Sequence, residues 1–234
     1  MSKFCILAMG DSITMNGAHP GYFYQAMGVQ AGEIYSESDA PRRAWRGYPT
    51  ANVIAANYAL SQQTIAYAEG LSAELALMIP SGYTAVAGRP ERHYIQVLRM
   101  NTNPTTSDPV AAASRTRDYC LSQQANGWKM VICPITSGYI TGAGGAAADT
   151  GYIQPYNAII ANWTTSDGVA AVVSSADAVM YGTAAYANLT YFNDSNNPAI
   201  GLHPTLAGHT RLKNDLVTAL NTLISSLGGG TPLS

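Results

Sequence analysis

Short apolar runs alternate with helix-periodic stretches about five times along this chain, and that alternation constrains the fold more than any other feature. The runs cover residues 4–9, 53–59, 94–100, 129–134 and 169–173. Each is short and apolar, with turn-forming residues nearby, as expected of a buried strand. Between them, Ile65, Ala68, Leu71, Leu75 and Met78 recur at three- and four-residue steps, which predicts a helix over 61–78 with Ser61 as its N-cap. A second helix is expected from Asp108 or Pro109 to about residue 124, stopped by Asn126-Gly127. A third covers 153–163. A long closing helix covers 205–227, with Leu206, Leu212, Leu216, Leu220, Leu223 and Leu227 on one stripe. Strand–helix alternation of this kind builds a parallel sheet with helices on both faces. One domain is expected over 1–227, with a frayed tail over 228–234.

Composition narrows the function. At 234 residues, 47% hydrophobic and only 11% charged, the chain is globular and can bury a substantial core. A net charge of −2, with one basic clump at Arg42, Arg43 and Arg46, argues against a nucleic-acid surface, which needs clustered cations to neutralise phosphates. No apolar run approaches a membrane-spanning length. The first run stops after about six residues, shorter than a secretory leader, and is expected to be the first strand; cellular location stays open. Cys5, Cys120 and Cys133 have no metal-binding or redox spacing and are expected to be reduced and buried. The G-x-G-x-x-A match at 142–147 has no strand directly before it, so it predicts a loop and no dinucleotide site. His203 and His209 are six apart and would not share a helix face, so no metal pair is expected, and no cofactor is implied.

In an open parallel sheet, ligands bind beyond the carboxyl ends of the strands. Gly10-Asp11-Ser12-Ile13-Thr14 follows the first strand, and Gly201-Leu202-His203-Pro204 precedes the closing helix. A serine and a histidine from opposite ends of the chain could therefore meet at one edge. Ser12 taken alone is a weak signal, because a Ser at a strand end is more often the N-cap of the following helix. Asp11, adjacent to Ser12, is expected to fix the turn, with Thr14 and Asn16 shaping it. Residues 15–50 show no periodicity and predict a long loop with a short helix near 22–28. Its Tyr22, Tyr24, Tyr35, Trp45 and Tyr48 either line a cleft or pack the loop onto the body. His19 and His93 are expected in loops or on the surface, and His209 in a structural role.

Gly10-Asp11-Ser12-Ile13 resembles the first motif block of the GDSL, or SGNH, hydrolase family. Gly201-Leu202-His203-Pro204-Thr205-Leu206-Ala207-Gly208 resembles the last block, in which a Gly stands four residues after the Pro. The segments 57–64 and 101–104 are similar to the second and third, so the four blocks occur in family order over most of the chain. The resemblance implies a flavodoxin-like, doubly wound α/β/α fold without metal or cofactor. It also implies a serine esterase: Ser12 as nucleophile, His203 as general base, and an oxyanion hole from the backbone N–H groups of Ser12 and Gln62 and the side-chain amide of Asn103. Short acyl esters are the default substrates, with carbohydrate acetyl esters as the special case the family suggests.

The departures are at Gln62, where the family has Gly, at Asn101 and Pro104 in the third block, and at Ile200, where it has the triad Asp. Asp194 can supply the acid across an insertion of 195–199. Alternatively, a backbone carbonyl holds the imidazole and leaves a Ser–His dyad. The competing function is a binding or structural module with a degenerate site. The implied partner is a small-molecule or carbohydrate ester, with no nucleic acid and no membrane; the sequence leaves the oligomeric state unassigned.

Overall fold

A computed structural model of the chain describes residues 4–15, 22–28, 46–47, 53–59, 63–79, 92–100, 106–137, 149–193, 203–229 and 233. Strand β1 (Phe4–Gly10) is central and pairs in parallel with β3 (Val53–Asn57) on one side and β4 (His93–Arg99) on the other. Strands β5 (Lys129–Ile132) and β6 (Val169–Val172) extend the sheet in parallel beyond β4. A two-residue strand β2 (Arg46–Gly47) pairs antiparallel with β3, giving the order β2-β3-β1-β4-β5-β6. The five parallel strands are those expected from the apolar runs.

Every residue of β1 is buried, which explains why its sequence reads as an unbroken apolar run. Phe4, Ile6 and Ala8 point to one face with Ile95, Val97 and Val131; Cys5, Leu7 and Met9 point to the other with Tyr94, Leu98, Met130 and Ile132. The first face is covered by α2 (Tyr22–Ala26) and by the closing helix, Leu206–Ser226, through Leu212, Leu216, Leu220 and Ile224. The second is covered by the helices Ile65–Gly70, Ser72–Met78, Pro109–Ala125 and Gln154–Ile160. The result is a three-layer α/β/α fold. Among the described residues no helix is long and apolar enough to cross a membrane.

Local signals place most helix ends. Asp108 caps its helix by accepting the Val110 N–H at 2.9 Å, Pro109 follows, and Gly127 leaves it with φ of 96°. The helix expected over 61–78 is instead two, broken at Leu71 after Gly70, a weak helix former. Thr64 occupies the N-cap position; Ser61 lies outside the described residues. Leu206, expected on the apolar stripe, is 44% exposed at the start of the closing helix. His93 is not a surface residue. It opens β4, is buried, and stacks on Phe4 at 5.4 Å. The tail is not wholly frayed: buried Leu233 donates its N–H to Asn221 Oδ1 at 2.6 Å and accepts from Asn221 Nδ2 at 3.0 Å. All three cysteines are buried thiols.

A polar seam runs along the closing helix. Arg211 donates from Nε and Nη2 to Asp177 at 2.7 and 3.0 Å, and that pair, with the Val179 N–H, holds the Asp177 carboxyl below its usual range. Asp215, one turn further on, is pushed up to about 6 by burial and by the nearby Asp177 charge. Its ordinary value is near 3.8, so between about pH 4 and 6 the folded chain keeps a proton that the unfolded chain has released. Its contribution to stability is therefore present below this window and lost across it. Asp215→Asn, which stays neutral, should melt with wild type near pH 4 and progressively above it towards pH 7. A difference that stays flat across that range would contradict this.

Candidate active site

The carboxyl edge of the sheet is built around the turn that ends β1. Asp11 is fully buried; its Oδ1 accepts the Ile13 N–H at 3.1 Å and its backbone carbonyl accepts the Thr14 N–H at 3.1 Å. These bonds wind the single-turn helix α1 (Ser12–Met15) directly off the strand, with Ser12 as its first residue. Backbone N–H groups in a helix's first turn have no intrahelical acceptor, so this position suits a donor to an anionic oxygen. Asp11 thus shapes the turn, as expected. A Cβ at Gly10 would overlap Thr14 Oγ1 and lie 2.8 Å from the Arg99 carbonyl oxygen, because Gly10 and Arg99 are opposed in the β1–β4 ladder. Only glycine lets the turn tuck back onto β4.

The turn is held from two further sides. Asn57, buried at the end of β3, donates from Nδ2 to the Thr14 carbonyl at 3.1 Å and accepts the Ala59 N–H on Oδ1 at 2.9 Å. Tyr22 of α2 shares a 3.0 Å hydrogen bond between its hydroxyl and Thr14 Oγ1. Its N–H donates to His209 Nδ1 at 3.2 Å, and its ring stacks on that imidazole. Below lies the guanidinium of Arg99, 1% exposed and 5.6 Å from the Tyr22 ring centre; its Nε and Nη2 meet no hydrogen-bond partner among the described residues. Burial, foremost, keeps the Tyr22 hydroxyl protonated well beyond the ordinary tyrosine range. Burial likewise pushes the Cys133 thiol up to about 12, so it offers no competing thiolate at neutral pH.

The other arm is a two-residue strand β8 (His203–Pro204), paired antiparallel with β7 (Phe192–Asn193) so that His203 faces Asn193. Thr205 locks it by donating its N–H to the Tyr191 carbonyl at 2.9 Å and its hydroxyl to the Thr190 carbonyl at 2.7 Å, while accepting the Gly208 N–H at 3.2 Å. A Cβ at Gly208 would overlap the Tyr191 carbonyl, so glycine here allows the closing helix to start against β7. Cα atoms of α1 lie within 8 Å of Cα atoms of β8. The fold therefore brings the segment bearing Ser12 and the segment bearing His203, which is half-buried, to one corner.

Of the other expected site residues, Gln62, Asn103 and Asp194 lie outside the described residues, as do Tyr35, Trp45, Tyr48, His19 and the segment 142–147. Tyr22 and Tyr24 are buried, so these two pack the chain onto the body instead of lining a cleft. Asn57 and Arg99 carry only a weak sequence signal as residues of this edge. The visible signal is a polar residue at the strand's end: Asn57 closes the otherwise apolar Val53–Asn57, and Arg99 closes His93–Arg99, which also carries His93 and Gln96.

No protein-family model matches the sequence, and no curated protein matches it. Solved structures do match in fold over nearly the whole chain, among them a putative GDSL-like lipase from Parabacteroides merdae and a putative SGNH hydrolase from Slackia heliotrinireducens. A catalytic variant of Axe2, an acetylxylan esterase from Geobacillus stearothermophilus, is 14% identical with a TM-score of 0.55, over 98% of this chain and 96% of that one. The psychrotrophic esterase EstA from Pseudoalteromonas is 13% identical with a TM-score of 0.55, over 94% and 98%. TesA is 16% identical with a TM-score of 0.52, over 94% and 99%. At such identities the likeness is one of fold.

Proposed function

We propose that the protein is a serine carboxylic-ester hydrolase acting on short acyl esters. The observation that carries this reading is the approach of α1 and β8 to within 8 Å at the carboxyl edge of an SGNH-type sheet. In the proposed reaction, His203 takes the Ser12 hydroxyl proton as Ser12 Oγ attacks the ester carbonyl. The tetrahedral oxyanion accepts hydrogen bonds from the Ser12 and Gln62 backbone N–H groups and the Asn103 amide. His203 then protonates the leaving alcohol, and an acyl group remains on Ser12. Water, deprotonated by His203, attacks that acyl carbonyl, releases the acid and returns the proton to Ser12. Asp194 orients His203 in this scheme; it is the next residue after Asn193, which pairs with His203.

Acetyl and similarly short acyl groups are the proposed substrates, and a carbohydrate alcohol fits the likeness to an acetylxylan esterase. A chain-length series of p-nitrophenyl esters tests the reading. Turnover should be highest for acetate or butyrate and fall away for laurate. Rates indistinguishable from buffer for every ester would favour a binding module on this fold.

A further inference from the structure

Ser12 and His203 come from opposite ends of the chain, and in the proposed hydrolase their relative position must be fixed by something other than chain connectivity. We propose that Tyr22 is the positioning residue that joins the two arms. This rests on the hydrolase reading. Its hydroxyl bonds Thr14 Oγ1 at 3.0 Å, two residues after Ser12, and its backbone N–H donates to His209 Nδ1 at 3.2 Å, six residues after His203. One residue of α2 thus touches both the nucleophile turn and the first turns of the helix that carries the base arm.

Each contact is buried and directional. Tyr22, Thr14 and His209 are at most 2% exposed, so water does not replace a lost partner easily. Thr14 is held on its other side by Asn57 through its carbonyl, so its backbone is anchored to β3 while its hydroxyl is anchored to α2. On the base side, His209 and Thr205 occupy the same first turn, bonded by the 2.8 Å contact from the His209 N–H to the Thr205 carbonyl; Thr205 in turn fixes β8. The path from Ser12 to His203 therefore runs through Thr14, Tyr22, His209 and Thr205 without a solvent-exposed link at its centre. The Tyr22 N–H points at Nδ1, which leaves the ring proton of neutral His209 on Nε2 and makes the imidazole an acceptor here. Nucleophile and base must sit within fractions of an ångström of productive geometry, and a displacement of about 1 Å can cost on the order of 10²-fold in rate.

The test is a cycle of Tyr22→Phe and Thr14→Val, with Thr14→Ser as the conservative control, each assayed for hydrolysis of p-nitrophenyl acetate and for thermal midpoint. Both single changes keep shape and remove one hydroxyl. Each should lower kcat by roughly 10-fold or more with KM little changed. The double variant should be no slower than the slower single variant, because both remove the same link, and Thr14→Ser should keep near-wild-type kcat. A lowered midpoint with unchanged kcat overturns the proposal and leaves the hydroxyls a purely structural role, as do multiplicative losses in the double variant. If wild type shows no Ser12-dependent turnover, the hydrolase reading fails and takes this proposal with it; turnover that Tyr22→Phe leaves intact defeats the positioning role alone.

Discussion

Ser12→Ala is expected to abolish ester turnover while leaving the fold intact. Among the described residues, the two nucleophilic groups beside the turn are poor substitutes for it: the Cys133 thiol is buried and held protonated, and Thr14 has its hydroxyl engaged by Tyr22. The loss should be at least about 10³-fold in kcat, since removing a nucleophile from a catalytic unit leaves only binding and oxyanion stabilisation. Stability should hardly move. The turn is wound by Asp11, whose side chain and carbonyl make the bonds to Ile13 and Thr14, and Ala is a good helix former at the next position. A change within about 0.5 kcal/mol in denaturation is the expected result. Retained turnover would remove Ser12 from the chemistry; a large loss of stability would mean that its side chain carries the turn.

The second large effect is on the fold. Gly10→Ala places a methyl group against Thr14 Oγ1 and 2.8 Å from the Arg99 carbonyl. Neither neighbour can retreat cheaply. Arg99 is fixed opposite Gly10 in the β1–β4 ladder, and Thr14 is tied through its hydroxyl to Tyr22 and through its carbonyl to Asn57. Overpacking of this kind costs about 1–3 kcal/mol when side chains can adjust, and a clash with strand backbone belongs at the upper end or beyond. Urea denaturation should show a midpoint lowered accordingly, with turnover lost in the remaining folded fraction because the clash displaces the Ser12 turn. An unchanged midpoint would show that the turn can swing clear of β4, contrary to the close approach of Gly10 to the Arg99 carbonyl.

The two glycines explain why so much was legible from sequence. Gly10 and Gly208 stand in the first and last motif blocks because backbone passes too close for a side chain at both, so the motifs encode packing as well as chemistry. The parallel sheet was equally legible: β1 is buried on both faces, and only an unbroken apolar run satisfies that. Other features depend on contacts that no local pattern carries. His93 belongs to the core because Phe4 of a neighbouring strand stacks on it, and a lone His after an aperiodic loop gives no hint of that. The split of the 65–78 region turns on Gly70, whose cost competes with a continuous apolar periodicity. Tyr22 could equally have lined a cleft; its role is set by Thr14 and by His209, distant in sequence, and its burial decides between the two. That the segments bearing Ser12 and His203 meet at one edge was legible from sequence, whereas the Tyr22 contacts to Thr14 and His209 were not.

The proposed hydrolase requires Ser12 to be an activated nucleophile at the carboxyl edge of the sheet. Treating the protein with a fluorophosphonate, measuring the intact mass and mapping the labelled peptide tests this. One adduct is predicted, on the peptide containing Ser12, formed by loss of fluoride as Ser12 Oγ bonds to phosphorus, and absent in Ser12→Ala. An adduct on another residue, or a folded wild-type protein that remains unlabelled, would contradict it.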